Sequence, residues 1–196
     1  MATPAEQFGA IDIYLFDQLL RGRIRPGVRV LDAGCGAGRN LEYLLRAGYE
    51  VFGADQDGRA IAEVRRMAPH AANNFRVESV EAMSFPDGFA DVVLASAVLH
   101  FARDGEQFAA MLRGAWRVLR PGGLFFCRLA SDIGMEGRFE PIGGRRFRLL
   151  DGSERYLVNE AMLMEWTAAL GGQLLDPLKT TVVQGQRSMT TWVMRK

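Results

Sequence analysis

The chain has 196 residues, 48% of them hydrophobic, which suits one domain with a sizeable core. A net charge of +1 gives no reason to expect binding to nucleic acid or to an anionic membrane. Its two cysteines, Cys35 and Cys127, build no disulfide framework and pair with no histidine at metal-ligand spacing, so they read as free thiols of a reducing, cytoplasmic compartment.

Residues 1–9 are short and polar and carry no apolar leader segment, and no apolar run approaches the ~20 residues that span a bilayer. Residues 10–20 place large apolar side chains at helical spacing and close near Gly22. Residues 28–32 form a β-branched run that stops at a glycine cluster, residues 39–47 are helical up to Gly48, and residues 50–54 read as the next strand. Asp57 is placed to cap a helix over 58–67, and residues 75–78 make a third strand. After the turn Ser84-Phe85-Pro86-Asp87-Gly88, residues 91–96 are a buried strand. A helix over 106–119 ends at Pro121-Gly122-Gly123, and residues 124–129 are a fifth strand. Alternating strands and helices of this kind argue for an α/β fold, a parallel sheet covered on both faces.

The tail is different. Residues 131–146 are rich in glycine and charge, without a clear period, and read as a loop or a loop with one short strand. Residues 147–158 suit a hairpin around Asp151-Gly152, and Asn159 caps a helix ending at Gly171-Gly172. Residues 174–183 and 188–194 are two strands joined by Gly185-Gln186-Arg187, a connection short enough to demand antiparallel pairing. One domain is expected, made of a helical cap over 1–27, a core over 28–130, a lid or substrate loop over 131–158, and a closing helix and hairpin over 159–196.

The informative stretch is Val30-Leu31-Asp32-Ala33-Gly34-Cys35-Gly36-Ala37-Gly38-Arg39-Asn40, where a buried strand runs into glycines and then a helix. In open parallel sheets ligands bind beyond the carboxyl ends of the strands, where glycines let the backbone approach closely. Asp55 follows at the end of the second strand, where a carboxylate suits the two hydroxyls of a ribose. A plain strand-to-helix turn would explain the glycines alone, but not their order with Asp55. The dinucleotide pattern G-x-G-x-x-G is broken, because Arg39 stands at the third position and Gly38 comes one residue early. Asp32 also puts a carboxylate at the mouth of the loop, which repels a pyrophosphate and suits an ammonium group.

Asp32-x-Gly34-x-Gly36-x-Gly38 resembles the first motif of the class I S-adenosylmethionine-dependent methyltransferases. Val51-Phe52-Gly53-Ala54-Asp55, Phe85-Pro86-Asp87-Gly88 through Asp91-Val92-Val93, Ala97-Val98-Leu99-His100 and Leu119-Arg120-Pro121-Gly122-Gly123 are similar to further segments of that family, in the same order. The resemblance implies a doubly wound, seven-stranded sheet of order 3-2-1-4-5-7-6 with strand seven antiparallel. It implies that Gly34, Cys35, Gly36 and Gly38 lie against the methionine part of S-adenosylmethionine, with Asp32 serving its ammonium directly or through water. Asp55 would take the ribose hydroxyls, Gln56 would border the adenine, and Ala95 would offer backbone to the methionine end. The family's acidic-then-small pair after strand three aligns with Ser79-Val80, so the adenine contact comes from elsewhere or is weaker. Tyr14 and Phe16, in the first helix, could cover the cofactor, although apolar packing of that helix explains Phe16 better. His100 is either a general base at the cofactor–substrate boundary or a residue that shapes its loop.

The implied function is methyl transfer from S-adenosylmethionine, giving S-adenosylhomocysteine, by direct in-line displacement onto a small-molecule acceptor. The Asn/Asp-Pro-Pro-aromatic motif of nitrogen methylating enzymes is replaced here by Ala95-Ser96-Ala97-Val98, and neither cysteine follows a proline as in cytosine C5 enzymes. Gly38-Arg39-Asn40 and the ending Met189-Thr190-Thr191-Trp192-Val193-Met194-Arg195-Lys196 are similar to the tellurite-resistance and thiopurine type. Arg138, Arg145, Arg146 and Arg148 could attract an anionic acceptor or only solvate their loop. Two alternatives stand beside this reading: a methyltransferase-like protein that binds the cofactor without turnover, and a nicotinamide-dependent oxidoreductase.

Overall fold

The computed structural model describes residues 3–196. Thr3 and Glu6 form a reciprocal capping box that, with Pro4 in the first turn, starts α1 (Pro4–Phe8) in a stretch whose sequence reads only as polar. The Asp12 carboxylate accepts from the Tyr14 amide and so delays the next helix, α2 (Ile13–Leu20), to three residues beyond Ala10. Then follow β1 (Arg29–Ala33), α3 (Glu42–Arg46), β2 (Glu50–Asp55), α4 (Gly58–Met67), β3 (Phe75–Val77), β4 (Ala90–Ser96), α5 (Gly105–Val118) and β5 (Leu119–Ser131). Asp57 caps α4 by accepting from the Arg59 amide, as its position predicts. Helix α3 is shorter than its periodicity suggests. Asn40, the residue best suited to cap it, instead accepts from the Asp12 amide at 3.0 Å and ties the start of α2 to the glycine turn.

The tail holds β6 (Glu140–Gly143), β7 (Arg146–Arg148), β8 (Glu154–Tyr156), α6 (Glu160–Ala169), β9 (Gln173–Leu174), β10 (Lys179–Val183) and β11 (Arg187–Arg195). The main sheet runs β10-β11-β5-β4-β1-β2-β3, with β9 paired to the far end of β11. Counting β10 and β11 as the sixth and seventh strands, this is the expected order 3-2-1-4-5-7-6, and β11 is antiparallel to both neighbours. Chain direction through the sheet reverses at β1, which pairs with β2 on one side and β4 on the other.

Side-chain alternation divides the core into two layers. Leu31, Val93, Ala95, Phe125, Cys127, Trp192 and Met194 face α5 and α6, where Phe108, Leu112 and Leu163 meet them. Val30, Val92, Leu94, Phe126 and Val193 face the opposite side, against Leu15 of α2, Leu44 of α3, and Ile61 and Val64 of α4. Trp192 is fully buried, and its indole N–H donates to Thr167 Oγ1 at 3.0 Å, which fastens α6 to the last strand.

Residues 131–158 are more ordered than a glycine-rich loop implies. Strands β6, β7 and β8 make a separate antiparallel sheet, and Met135, Phe139, Leu149 and Leu157 bury a small core of their own beneath it. The β7–β8 hairpin turns at Asp151-Gly152 as expected. The β6–β7 hairpin has no legible period because its strands are three or four residues long and the register shifts between Pro141 and Gly143. Among the described residues no helix is long and apolar enough to cross a membrane.

Candidate active site

The chain leaves β1 through a turn that only glycine can make at two points. Gly34 sits at φ +88°, and a Cβ there would stand 2.2 Å from Val98 Cγ2. Gly36, at φ +52°, has nothing within 4 Å of the place a Cβ would take, so its backbone faces open space. The Gly34 and Cys35 amides both donate to the Ala54 carbonyl, which docks the turn onto the end of β2.

Two carboxylates stand at this turn with different environments. Asp55 Oδ2 accepts from the Gly36 amide and Oδ1 from the Asp57 amide, both at 2.9 Å, so the group is aimed by backbone at the ends of β1 and β2. Asp32 is 1% exposed, and its Oδ1 has no hydrogen-bond partner. Burial pushes its carboxyl up to about 7; the Arg39 charge opposes this and Asp55 adds to it. An unpartnered buried carboxylate of this kind is unfavourable unless a cation or donor reaches it.

Beyond the strand ends lies a cavity of about 410 Å³, at the point where the strand order reverses. Gly34, Gly36, Asp55, Gln56, Ser79 and Val80 line it, as the sequence suggests for the loops after β1, β2 and β3. Val98, from the Ala97–His100 segment already noted in the sequence, completes the wall with Phe101, Gln107 and Met111, which carry no motif by which sequence alone would single them out. Glu81 also lines it and accepts from Gln107 Nε2 at 3.0 Å, whereas Glu78 is occupied with the Ser84 amide and hydroxyl. Ala95 lies inside β4, fully buried, and the lining at that strand end is Ala97 and Val98. Asp32, Cys35 and Gly38 sit behind the turn rather than in the lining. The Cys35 thiol packs against Gly53, where a Cβ would come within 2.8 Å of the sulfur, and burial pushes its pKa far up.

A protein family described as a methyltransferase domain matches residues 31–127, which hold every lining residue of this cavity. A ubiquinone biosynthesis O-methyltransferase of Methylocella silvestris is 39% identical over 114 residues, 55% of this chain and 43% of that protein. Residues 31–127 are a methyltransferase domain of that family. An S-adenosylmethionine-dependent methyltransferase from Methanosarcina mazei shares the fold at a TM-score of 0.73, with 20% identity over 91% of this chain and 96% of that one. A magnesium protoporphyrin IX methyltransferase from Synechocystis, solved with bound S-adenosylmethionine, matches at 0.66, with 20% identity over 94% and 77%. The chain spans less than half the length of the curated relatives it matches.

In this methyltransferase fold a second cavity, of about 280 Å³, adjoins the first, and Ala97 and Phe101 line both. Ala97 adopts φ +61°, a left-handed conformation uncommon outside glycine, while its amide donates to the Arg128 carbonyl at 2.7 Å. His100 lines the second cavity, not the first. Its Nδ1 accepts from the Ala130 amide at 3.0 Å, so the neutral ring carries its proton on Nε2 and offers a donor. Burial, with Arg155, Arg128 and Arg187 nearby, holds its pKa down to about 3. This geometry favours a donor or loop-shaping role over a general base.

The unfolded imidazole titrates near 6.5 and the folded one near 3, so the stability it contributes is present above 6.5 and lost as pH falls between the two. The imidazole proton resonances of His100 should therefore stay constant from pH 5 to pH 8. An inflection near 6.5 in the NMR titration would overturn this.

Tyr14 lies outside the linings of both cavities. Its hydroxyl meets Thr181 Oγ1 at 2.5 Å and the Arg128 guanidinium stands 5.3 Å over its ring, so it ties α2 to β10. Phe16 packs between Phe8 and Tyr43. Arg145, Arg146 and Arg148 pair with Asp132, Glu154 and Glu140 and are absent from the second cavity's lining, as is Arg138.

Proposed function

We propose that the chain binds S-adenosylmethionine in the larger cavity and transfers its methyl group to a small molecule held in the adjoining one. The observation that carries this reading is Asp55, a carboxylate aimed by backbone amides within the cavity lining, with the buried carboxylate of Asp32, its Oδ1 unpartnered, behind the same turn where a cofactor ammonium reaches it through water. A cofactor with an ammonium at one end, a ribose in the middle and no phosphate satisfies both acids, whereas a dinucleotide pyrophosphate meets only like charge. The sulfonium supplies the leaving group, so the chemistry of the displacement belongs to the cofactor.

The chain's own contribution is placement. Asp55 orients the ribose, Gln56, Ser79, Glu81 and Gln107 surround the adenine edge, and Phe101 and Ala97 stand at the seam where methyl and acceptor meet. The three-stranded sheet of β6–β8 acts as a wall for the acceptor side, with its β7–β8 turn as the segment that excludes water. S-adenosylhomocysteine should bind and NAD should not, as read by calorimetry. Asp55→Ala should weaken S-adenosylhomocysteine by about 2 kcal/mol through loss of charge-assisted hydrogen bonds, with folding retained because the residue is at a strand end. Tight NAD binding without S-adenosylhomocysteine binding would return the chain to the oxidoreductase reading.

A further inference from the structure

The second cavity is built unlike the first. Three guanidiniums, Arg128, Arg155 and Arg187, face it, against one carboxylate, Asp151. Arg128 is already committed to Asp12, at 3.1 Å. Asp151 is committed too: its Oδ1 accepts from both the Ser153 amide and the Ser153 hydroxyl and closes the β7–β8 turn. Among the described residues, Arg155 and Arg187 form no ion pair, in contrast to the neutralised arginines of the neighbouring sheet. Arg155 is held in place by the Glu154 carbonyl at 2.7 Å and by the Phe101 ring, 4.7 Å from its guanidinium carbon.

Sequence puts these two arginines 32 positions apart, in separate hairpins, and only the fold brings them to one cavity. Phe101, Leu149, Val183 and Met189 supply the apolar part of the remaining surface, and His100 and Ser153 add neutral polar groups. His100 lines the same cavity, and after burial these three arginines are what hold its imidazole below the ordinary range.

We propose that this cavity takes a small methyl acceptor with an oxyanion head group, held by Arg155 and Arg187, and a compact apolar body lying along Phe101 and Met189. The inference rests on the methyl-transfer reading above and names its substrate class. Two guanidiniums without an ion pair, sharing only the nearby charge of Asp151, give planar, charge-assisted hydrogen bonding to a carboxylate or phosphate that a neutral acceptor cannot match. The cavity volume, about 280 Å³, sets the size at a single ring or a short branched chain rather than a macromolecular side chain with its backbone.

The test is competitive binding to the complex with saturating S-adenosylhomocysteine, using benzoate, phenyl phosphate and benzamide as probes of equal body and different head. Binding of S-adenosylhomocysteine is measured first. Benzoate or phenyl phosphate is expected to bind at least tenfold more tightly than benzamide, and the better of the two identifies the head group. Arg155→Gln and Arg187→Gln should each weaken the preferred anion about tenfold while leaving benzamide and S-adenosylhomocysteine within twofold. Melting temperatures of both variants report whether the hairpins persist, and raising salt to about 0.5 M should weaken the anion and not the amide. Benzamide binding as tightly as the acids, no probe binding at millimolar concentration, or a preference that survives the double variant would each overturn the proposal. Failure of S-adenosylhomocysteine itself to bind would instead remove the cofactor reading, and this inference with it.

Discussion

Asp32→Asn is expected to raise the melting temperature of the ligand-free protein at pH 8 and to weaken S-adenosylhomocysteine about thirtyfold. The carboxyl is buried, its Oδ1 is unpartnered, and burial moves its pKa up to about 7. Between the unfolded value near 3.8 and this folded value, the native state holds a proton that the unfolded state has released. Stability therefore falls as pH rises through that window, and above 7 the buried charge costs its full penalty, about 4 kcal/mol. Asparagine keeps the shape and removes the charge but still buries an amide, so about 2–3 kcal/mol of the penalty is recovered and a gain of roughly 5–10 °C is expected for a chain of this size. The gain should shrink to less than half near pH 5 and vanish only below about pH 4, where the carboxyl is neutral in both the folded and the unfolded state. The cofactor loss is the other side of the same change: an amide cannot match the charge-assisted contact to an ammonium, worth about 2 kcal/mol. Thermal melts at pH 5 and pH 8, with and without S-adenosylhomocysteine, read both effects. Equal melting temperatures of variant and wild type at pH 8 would mean that Asp32 carries no such strain.

Gly114→Ala is expected to destabilise the protein by about 3 kcal/mol, against the sign that helix propensity alone would give. The residue lies inside α5, where alanine normally stabilises. Here a Cβ would come within 2.4 Å of the Val80 carbonyl oxygen and 3.1 Å of the Glu81 Cα, both backbone atoms. Close-packed interiors do not absorb such an overlap without moving the neighbour. The neighbour is the turn that carries Ser79, Val80 and Glu81 into the cavity, so S-adenosylhomocysteine affinity should fall at least tenfold alongside the melting temperature. A variant with unchanged or increased stability would show that this turn yields freely.

The core of the fold was readable because its cues are local and repeated. Val30 to Ala33, Val92 to Ala95 and Leu124 to Cys127 are runs buried on both faces, each followed or preceded by glycine, proline or a cap, and they became β1, β4 and β5. Asp55 and the glycine turn were readable because their chemistry is fixed by sequence position at strand ends. The acceptor side was not. Phe101, Gln107 and Met111 sit on helical turns whose periodicity speaks only of packing, and Arg155 and Arg187 meet through tertiary structure alone. The arginines suggested by their clustering, Arg145, Arg146 and Arg148, turned out to be cross-strand partners of acids, an outcome set by β6–β8 pairing that their sequence does not announce. His100 stands out in sequence within the Ala97–His100 segment, but its tautomer depends on the Ala130 amide, thirty residues away.

The seam at Ala97 and Phe101 divides the active centre by ancestry as well as by space. Every residue that lines the larger cavity falls between 34 and 111, within the stretch shared with other methyltransferases, whereas Arg128, Ala130, Leu149, Asp151, Ser153, Arg155, Val183, Arg187 and Met189 all lie beyond residue 127, where that shared stretch ends. On the proposed function, apart from His100, the tail can be rewritten for a new acceptor while the front half keeps its ligand. A chimera that joins residues 1–127 of this chain to the tail of a relative would exchange one acceptor preference for another at a single junction inside β5, with the cofactor half carried over intact.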